Sequence, residues 1–299
     1  MLVKFAVFTV SVPDYTPEEA VAKIREFGYD GVEWRVIDQD PAHAGGGFWS
    51  ANKATIPFTN IETEAPQVRK MTEDAGLEMP SIGTYVMCDD LEQTDLAMRG
   101  ANALGVPKLR IRVPNYNGTD PFMPIWERAR EQYKGVAELA AKHGVQALIE
   151  LHHRSITPSA SSARLFLDGL DPKQVGVIHD VGNMVHEGYE THRLSLEMLG
   201  PYLSHVHVKN ARWFPAKYLA DRTVEWKCEW APVHKGIIDL RALFRALNSI
   251  GYDGWIGLED FSTVRPLDDR LKENLTYLKS IVEEIETGAA APAEQGSPA

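Results

Sequence analysis

The sequence lacks the features that mark several common classes of protein. Its 299 residues include only two cysteines, Cys88 and Cys228, which form no CxxC pair. This excludes a disulfide scaffold and favours a reducing cytoplasm. No apolar run approaches the roughly 20 residues that span a membrane. Residues 1–15 have Lys4 inside a short apolar run and no small-residue cleavage site, so we expect a first strand, not a signal peptide, and a soluble protein.

Positive charge is also scarce. The chain has 31 Lys and Arg against 42 Asp and Glu, a net charge of -11. Such a balance repels phosphate backbones and anionic lipid headgroups, so we expect neither a nucleic acid nor a membrane partner. The sequence has no glycine-rich dinucleotide fingerprint, phosphate loop or nucleophile elbow either, which leaves kinase and serine-hydrolase functions without specific support.

Strand and helix patterns alternate along the whole chain. Thr16, Pro17 and Glu19 form an N-cap, a first-turn proline and a capping-box acid, and they predict a helix that ends at Gly28. Apolar runs predict eight strands, at 3–12, 32–37, 79–86, 108–113, 145–151, 175–180, 204–208 and 255–259. Helical patterns lie between them, at 61–75, 91–104, 124–143, 159–167, 192–199 and 240–250.

One unit of this alternation occurs twice. DLRALFRALNSIGYDGWIGLE at 239–259 repeats the order of TPEEAVAKIREFGYDGVEW at 16–34: a helix, a glycine stop, a GYDG turn and a strand with a glutamate. Eight parallel strands with helices between them predict an α/β fold, a single-domain (β/α)8 TIM barrel over residues 1–285, with an open doubly wound sheet as the alternative. The Ala-, Pro- and Gly-rich residues 286–299 predict a disordered tail.

Two connections are unusually long, 38–60 after the second predicted strand and 210–236 after the seventh. Both follow the carboxyl end of a strand, so we expect both at the catalytic mouth of a barrel. Their aromatic residues suit stacking on a sugar or packing against a partner, and packing within the loops themselves is an equal alternative. These residues are Phe48, Trp49, Trp213, Phe214, Trp226 and Trp230.

Four polar residues stand at the carboxyl ends of the fifth to eighth predicted strands: Glu150, Asp180, His207 and Glu259. An unpaired buried charge costs several kcal/mol, and three converging carboxylates repel one another unless a cation joins them. The set therefore predicts a divalent-metal site, although each residue alone would also fit a structural salt bridge. Oxygen ligands with one nitrogen favour Mn²⁺ first, then Mg²⁺ or Co²⁺.

These residues resemble the xylose isomerase-like barrels, a family of sugar phosphate isomerases and epimerases that includes inosose dehydratase and endonuclease IV. In that family a Glu, an Asp, a His and a second Glu from the fifth to eighth strands bind the metal, which implies the same role for the four residues above. His207 is preferred to His205 because it lies nearer the strand end and precedes Val-Lys-Asn, similar to a family His-x-Lys-Asp. Asn183 stands where many relatives have histidine, which argues against several metals, and the negative charge argues against a nuclease.

The predicted chemistry is proton removal next to a carbonyl. A divalent cation that holds two adjacent oxygens of a hydroxy-ketone polarises the carbonyl and stabilises the resulting enediolate. The resemblance implies that Glu150 and Glu259 move protons, with His152 and Lys209 as further catalytic candidates. Weaker candidates are His153 and His234, together with Glu33 and Arg35, which could instead form an ion pair inside the barrel.

The fate of the enediolate decides the reaction. Reprotonation makes the protein a sugar isomerase or epimerase, and loss of a β-substituent makes it a lyase acting on a 3-keto sugar. The Lys209-Asn210 pair resembles dehydratases. The segment DVGNMVHEG and the aromatic loops resemble α-subunits of C-glycoside deglycosidases, which work with a small β-subunit; a homo-oligomer also stays open. A non-catalytic sugar-binding barrel with a structural ion is the remaining hypothesis, and it predicts no open coordination position.

Overall fold

A computed structural model describes residues 1–40 and 47–288. The strands, numbered along the chain, are β1 (Lys4–Phe8), β2 (Gly31–Val36), β3 (Thr55–Ile56), β4 (Ile82–Thr84), β5 (Lys108–Arg110), β6 (Gln146–Glu150), β7 (Val175–Asp180), β8 (Leu203–Val208), β9 (Asn210–Tyr218), β10 (Val224–Ala231) and β11 (Trp255–Leu258). The helices are α1 (Pro17–Glu26), α2 (Ile61–Asp74), α3 (Leu91–Leu104), α4 (Phe122–His143), α5 (Ala160–Phe166), α6 (Val181–His186), α7 (His192–Leu199), α8 (Leu240–Ser249) and α9 (Leu267–Thr287).

Eight of the strands close into a barrel. They are joined in the order β1, β2, β4, β5, β6, β7, β8 and β11, every pairing is parallel, and β11 returns to β1. Helices lie between successive barrel strands. The predicted (β/α)8 barrel is confirmed, and the open doubly wound sheet is excluded by the closing pairs between β1 and both β2 and β11.

The first helix forms as its sequence predicts. The hydroxyl of Thr16 accepts from the backbone N–H of Glu19, and the Glu19 carboxylate accepts from the backbone N–H of Thr16. These two bonds satisfy donors that a helix start would otherwise leave unpaired. Gly28 follows with φ +88°, which a residue without a Cβ adopts at little cost and which turns the chain towards β2.

The long connections and the C-terminal region differ from the sequence prediction. Residues 210–236 contain the antiparallel hairpin β9–β10, which is largely exposed, so its side chains lack the burial alternation that marks a sheet strand. Part of the connection 38–60, residues 41–46, lies outside the described residues. Helix α9 was missed by the sequence reading. It includes residues 286 and 287 of the predicted tail, whose residues 289–299 also lie outside the described part.

The hydrophobic core fills the barrel and the layer between strands and helices. Large side chains such as Trp34, Phe244 and Ile24 are fully buried in it. Among residues 1–40 and 47–288, no helix has the length and apolar character needed to cross a membrane. Several of the buried charged and imidazole side chains lie at the carboxyl ends of the barrel strands, where the candidate site lies.

Candidate metal centre

The four residues singled out at the strand ends meet in one buried cluster. Glu150 and Asp180 are the last residues of β6 and β7, His207 lies near the end of β8, and Glu259 directly follows β11. One ligand atom from each lies within 4.8 Å of the others. The Nδ1 atom of His207 lies 3.8, 3.7 and 3.9 Å from carboxylate oxygens of Glu150, Asp180 and Glu259.

The orientation of His207 suits a metal ligand. Its Nε2–H donates to Oε2 of Glu33 over 2.9 Å, since a carboxylate only accepts. Its Nδ1 atom is buried and makes no hydrogen bond within the described chain. Ligands about 2.0–2.2 Å from a shared ion lie roughly 3–4 Å from one another, which is the spacing around this nitrogen. The donor set and the unpaired nitrogen therefore fit a divalent cation.

The two glutamates have different surroundings. Oε2 of Glu150 accepts from the Arg110 guanidinium over 2.6 Å, and Oε1 accepts from the Asn183 amide over 3.3 Å. Burial alone would raise the pKa of Glu150, but the Arg110 charge outweighs it and the pKa falls well below its usual range. Within the described chain Glu259 forms no hydrogen bond with an arginine, and burial raises its pKa despite the nearby Lys209. Glu150 is thus held as a carboxylate, and Glu259 is the less acidic of the two.

Asp180 and Lys209 complete the buried charges. Oδ1 of Asp180 accepts from the backbone N–H of Asn183 at the start of α6, and Oδ2 accepts from the Lys209 ammonium over 2.6 Å. The same ammonium donates to Glu259 and lies 5.4 and 5.3 Å from the ring centroids of Trp230 and Phe261. Burial would lower the pKa of Lys209, but the acids around it raise it, so it remains a cation.

A cavity of about 360 Å³ opens above the cluster. Glu150, Glu259, Lys209 and His152 line it, whereas Asp180 does not. The rest of the wall is mostly cationic, imidazole and aromatic, with one aliphatic and one amide side chain. It consists of Val10, Trp49, Tyr85, Arg110, Arg112, His153, Asn183, His186, Trp230 and Phe261.

Three histidines of the cavity wall form a stack with His153 in the middle. The ring centroids of His152 and His153 are 4.5 Å apart, and those of His153 and His186 are 4.4 Å apart. The Nδ1 atom of His152 contacts the backbone oxygen of His153 at 2.7 Å, so it carries the proton and leaves Nε2 as an acceptor. Burial lowers the pKa of His152, which favours this neutral form.

Other candidates lie away from the cavity or have structural partners. His234 is exposed and packs near Tyr277, outside the cavity wall. Within the described chain Glu33 and Arg35 form no ion pair with each other. Glu33 accepts from His205 and His207. Arg35 donates to Gln39, Thr55 and the backbone oxygen of Trp49 in and after the connection that follows β2, and to Tyr85 just after β4. The proposed internal ion pair is therefore wrong.

The sequence reading missed Arg110 and Tyr85. The Arg110 guanidinium lies 4.8 Å from the Tyr85 ring centroid while it pairs with Glu150. A signal was available, because Lys108, Arg110 and Arg112 alternate with apolar residues in KLRIRV and so share one face of a strand. This alternation marks the three cations as candidates to face the barrel interior, but it does not show that Arg110 meets Glu150.

The aromatic residues of the long connections divide between two roles. Trp49 and Trp230 line the cavity above the cluster, while Phe48 packs edge-on against Trp49 and Phe261. Trp213 and Trp226 line a neighbouring cavity of about 480 Å³ beside the hairpin β9–β10. Both connections therefore contribute to the mouth of the barrel, as expected.

The fold and the cluster together define a barrel with a metal-type acid and imidazole set at its carboxyl end. A family model described as the xylose isomerase-like TIM barrel matches residues 21–281, and the chain belongs to that family. The inosose dehydratase of Geobacillus thermodenitrificans is 26% identical over 159 residues, 49% of this chain and 52% of that protein. The chain thus spans about half the length of the curated relatives it matches.

Solved structures share the fold over nearly the whole chain. The 3-keto-D-glucoside 4-epimerase of E. coli has a TM-score of 0.69 and 15% identity, and the match covers 93% of this chain and 99% of that one. The IolI protein, solved with a bound zinc atom, has a TM-score of 0.67 and 16% identity, with 97% and 100% covered. At these identities the likeness establishes the barrel alone.

Proposed function

We propose that this protein is a divalent-metal-dependent sugar isomerase or epimerase that removes a proton from the carbon next to a carbonyl. The observation that carries the proposal is the convergence of Glu150, Asp180, His207 and Glu259 around the unpaired Nδ1 of His207. The cavity above this cluster has the volume of a small-molecule site and is lined by two of its acids. A small sugar or keto-sugar is the proposed substrate.

The four cluster residues would hold the cation, with Mn²⁺ preferred and Mg²⁺ or Co²⁺ as the next choices. When bound, it would polarise the substrate carbonyl and stabilise negative charge on the adjacent oxygens. Two of its ligands, Glu150 and Glu259, face the cavity, so substrate oxygens can approach the same point. This open side supports an enzyme and argues against a sugar-binding barrel with a fully enclosed structural ion.

The two glutamates that line the cavity differ in their suitability for proton transfer. Strands β7 and β8 lie between β6 and β11, so Glu150 and Glu259 reach the cavity from different sides. Glu259 is the better proton acceptor because Arg110 and Asn183 fix Glu150 in its ionised form. We assign proton abstraction to Glu259, which gains the substrate proton and can return it to the neighbouring carbon, while Glu150 stays ionised and would bind the cation.

Three further cavity residues would orient the substrate. Nε2 of His152 can accept a hydroxyl proton, because Nδ1 carries the ring proton. The Lys209 ammonium can donate to an oxygen that gains charge. The side chain of Arg112 lines the cavity and makes no hydrogen bond or ion pair within residues 1–40 and 47–288, so its guanidinium is available for a polar substituent of the substrate.

A lyase is the second candidate. The curated relatives, about half of whose length is matched by this chain, are inosose dehydratases. In this reaction the same abstraction by Glu259 would be followed by loss of a β-substituent, and the Lys209 ammonium would supply a proton to the departing oxygen. A C-glycoside substrate would make the leaving group an aglycone, and a small partner subunit would then be expected.

One experiment separates these reactions. The protein is stripped with a chelator, reloaded with Mn²⁺ and incubated in deuterated water with free ketoses, phosphorylated ketoses, inososes and 3-keto-glycosides. Deuterium at an isomerised or epimerised carbon supports the first proposal, and release of water or an aglycone supports the second. Absence of turnover on every substrate, or equal turnover in stripped and reloaded protein, would contradict metal-dependent proton abstraction.

A further inference from the structure

The proposed reaction assigns no role to Glu33, although this residue forms two buried hydrogen bonds. It lies in β2 and is fully buried inside the barrel. One of its oxygens, Oε2, accepts from Nε2 of His205 over 3.0 Å and from Nε2 of His207 over 2.9 Å. Its other oxygen, Oε1, has no hydrogen-bond partner within the described chain. A single carboxylate oxygen therefore joins two imidazoles from β8.

This bond determines which nitrogen of His207 faces the acids. The two ring nitrogens lie on different edges of the imidazole, so a ring that donates from Nε2 to Glu33 must present Nδ1 to Glu150, Asp180 and Glu259. Neighbours restrict the ring further. The Phe8 ring stacks on it with centroids 5.6 Å apart and planes 28° apart.

We infer that Glu33 is a positioning residue, which holds the Nε2–H of His207 so that Nδ1 is presented as a metal ligand. The inference rests on the proposed metal site and adds a residue to it. An ionised carboxylate gives the imidazole a strong, directional acceptor and makes Nδ1 a better donor to a cation. A glutamine at position 33 could turn its NH₂ group towards Nε2 of His207. It would then favour the tautomer with the proton on Nδ1, which cannot bind a cation through that nitrogen.

His205 provides an internal control for this inference. It donates to the same oxygen of Glu33, yet it does not belong to the set of four groups around the Nδ1 atom of His207. A substitution at His205 removes one bond to Glu33 and leaves the bond to His207. It therefore perturbs the same buried network without removing the contact that orients the ligand.

The experiment measures metal affinity in addition to turnover. Mn²⁺ and Zn²⁺ are titrated calorimetrically into chelator-stripped wild type, Glu33→Gln, Glu33→Asp and His205→Gln. We expect Glu33→Gln to weaken affinity by about 10- to 100-fold, with His205→Gln losing less than about tenfold. Glu33→Asp, which keeps the anionic acceptor, should recover part of the loss. Equal affinities in wild type and folded Glu33→Gln, or a larger loss in His205→Gln, would overturn the inference.

A second measurement remains informative if Glu33→Gln does not fold. Imidazole ¹⁵N–¹H correlation spectra of stripped wild-type protein, assigned with His207→Gln, report whether Nε2 of His207 carries a hydrogen-bonded proton. We expect a slowly exchanging Nε2–H signal, and its absence would overturn the inference. A wild type that shows this signal but binds neither metal would leave the Glu33 contact intact and contradict the proposed function instead.

Discussion

The two copies of the repeated unit place a glutamate at the same level of the barrel and give it different surroundings. Strand β1 lies between β2 and β11, and Ala6 pairs with Gly31 on one side and with Gly257 on the other. Glu33 and Glu259 each come two residues after those glycines. Glu33 is enclosed with two histidines, whereas Glu259 faces the cavity beside Lys209.

Their different roles follow from the neighbouring strands. Strand β8 is adjacent to β11, yet the histidines of β8 reach across the barrel to Glu33, and Lys209 just beyond β8 reaches Glu259. The strand register sets the position of Glu33 and Glu259 along the barrel axis, and the alternation of side chains along each strand points them into the barrel. The groups that arrive from β8 give the two acids different contacts, and in the proposed site Glu33 would support a metal ligand while Glu259 would meet the substrate.

The largest predicted effect comes from removing the cavity-facing acid. Glu259→Gln should lower turnover by about 10³-fold, because a general base contributes roughly 10²- to 10⁴-fold. Mn²⁺ affinity should also fall, since one ligand oxygen is replaced by an amide. Steady-state rates on the substrate found in deuterated water, at saturating Mn²⁺, measure this change.

The same substitution at the enclosed acid, Glu33→Gln, provides a comparison for Glu259→Gln. Saturating Mn²⁺ should restore more turnover to Glu33→Gln than to Glu259→Gln, because Glu33 affects the reaction only through the position of His207. Comparable turnover in the two variants at saturating metal would contradict the separation of roles. Far-ultraviolet circular dichroism of both variants controls for loss of the fold.

The sequence predicted the barrel and the four cluster residues for a simple physical reason. Charged residues are rare at the ends of buried strands, so Glu150, Asp180 and Glu259 stand out in an apolar pattern, and the carboxyl ends of parallel strands meet at one end of a barrel. The metal itself remains a prediction. What brings these side chains together in space is closure of the sheet, which the alternation of strands and helices already indicated.

The partners of these residues could not be read in the same way. Glu33 and His207 are separated by 174 positions, and their contact depends on the rotation of each strand inside the barrel. Arg110 had an alternating pattern, but no pattern shows which acid it meets. The hairpin β9–β10 was missed because an exposed hairpin needs no apolar periodicity. Among residues 1–40 and 47–288, its two strands pair only with each other.

An intermediate effect is predicted at Gly31 and Gly257, the two glycines that pair with Ala6 from opposite sides of β1. A Cβ at Gly257 would lie 2.7 Å from Cδ2 of His207, so Gly257→Ala should displace the ring and weaken Mn²⁺ binding by about tenfold. A Cβ at Gly31 would lie 2.6 Å from the backbone oxygen of Glu78, so Gly31→Ala should destabilise the fold by about 1–3 kcal/mol.

The two glycine substitutions separate stability from metal binding. Urea denaturation and calorimetric titration of both variants provide the measurements. Gly31→Ala should keep near wild-type Mn²⁺ affinity while its free energy of unfolding falls. A loss of affinity in Gly31→Ala as large as that in Gly257→Ala would show that the two halves of the repeat do not have separate roles.

The smallest effect is predicted at the tyrosines of the two GYDG turns. The Tyr29 hydroxyl donates to the backbone oxygen of Leu271 in α9 over 2.8 Å, whereas the Tyr252 hydroxyl donates to that of Trp255 within its own turn. Tyr29→Phe should therefore cost about 1 kcal/mol, since it removes a buried bond between distant segments, and Tyr252→Phe should cost less. Urea denaturation at pH 7 measures both.

Alkaline pH extends this comparison. Burial raises the pKa of Tyr29 and of Tyr252 above the ordinary value near 10. Each neutral tyrosine therefore contributes stability that is fully present below about pH 10 and is lost as the pH rises towards the folded-state pKa, because only the unfolded chain ionises there. Each substitution to phenylalanine should flatten the fall in unfolding free energy above pH 10. A slope unchanged in both variants would mean that other groups control alkaline unfolding.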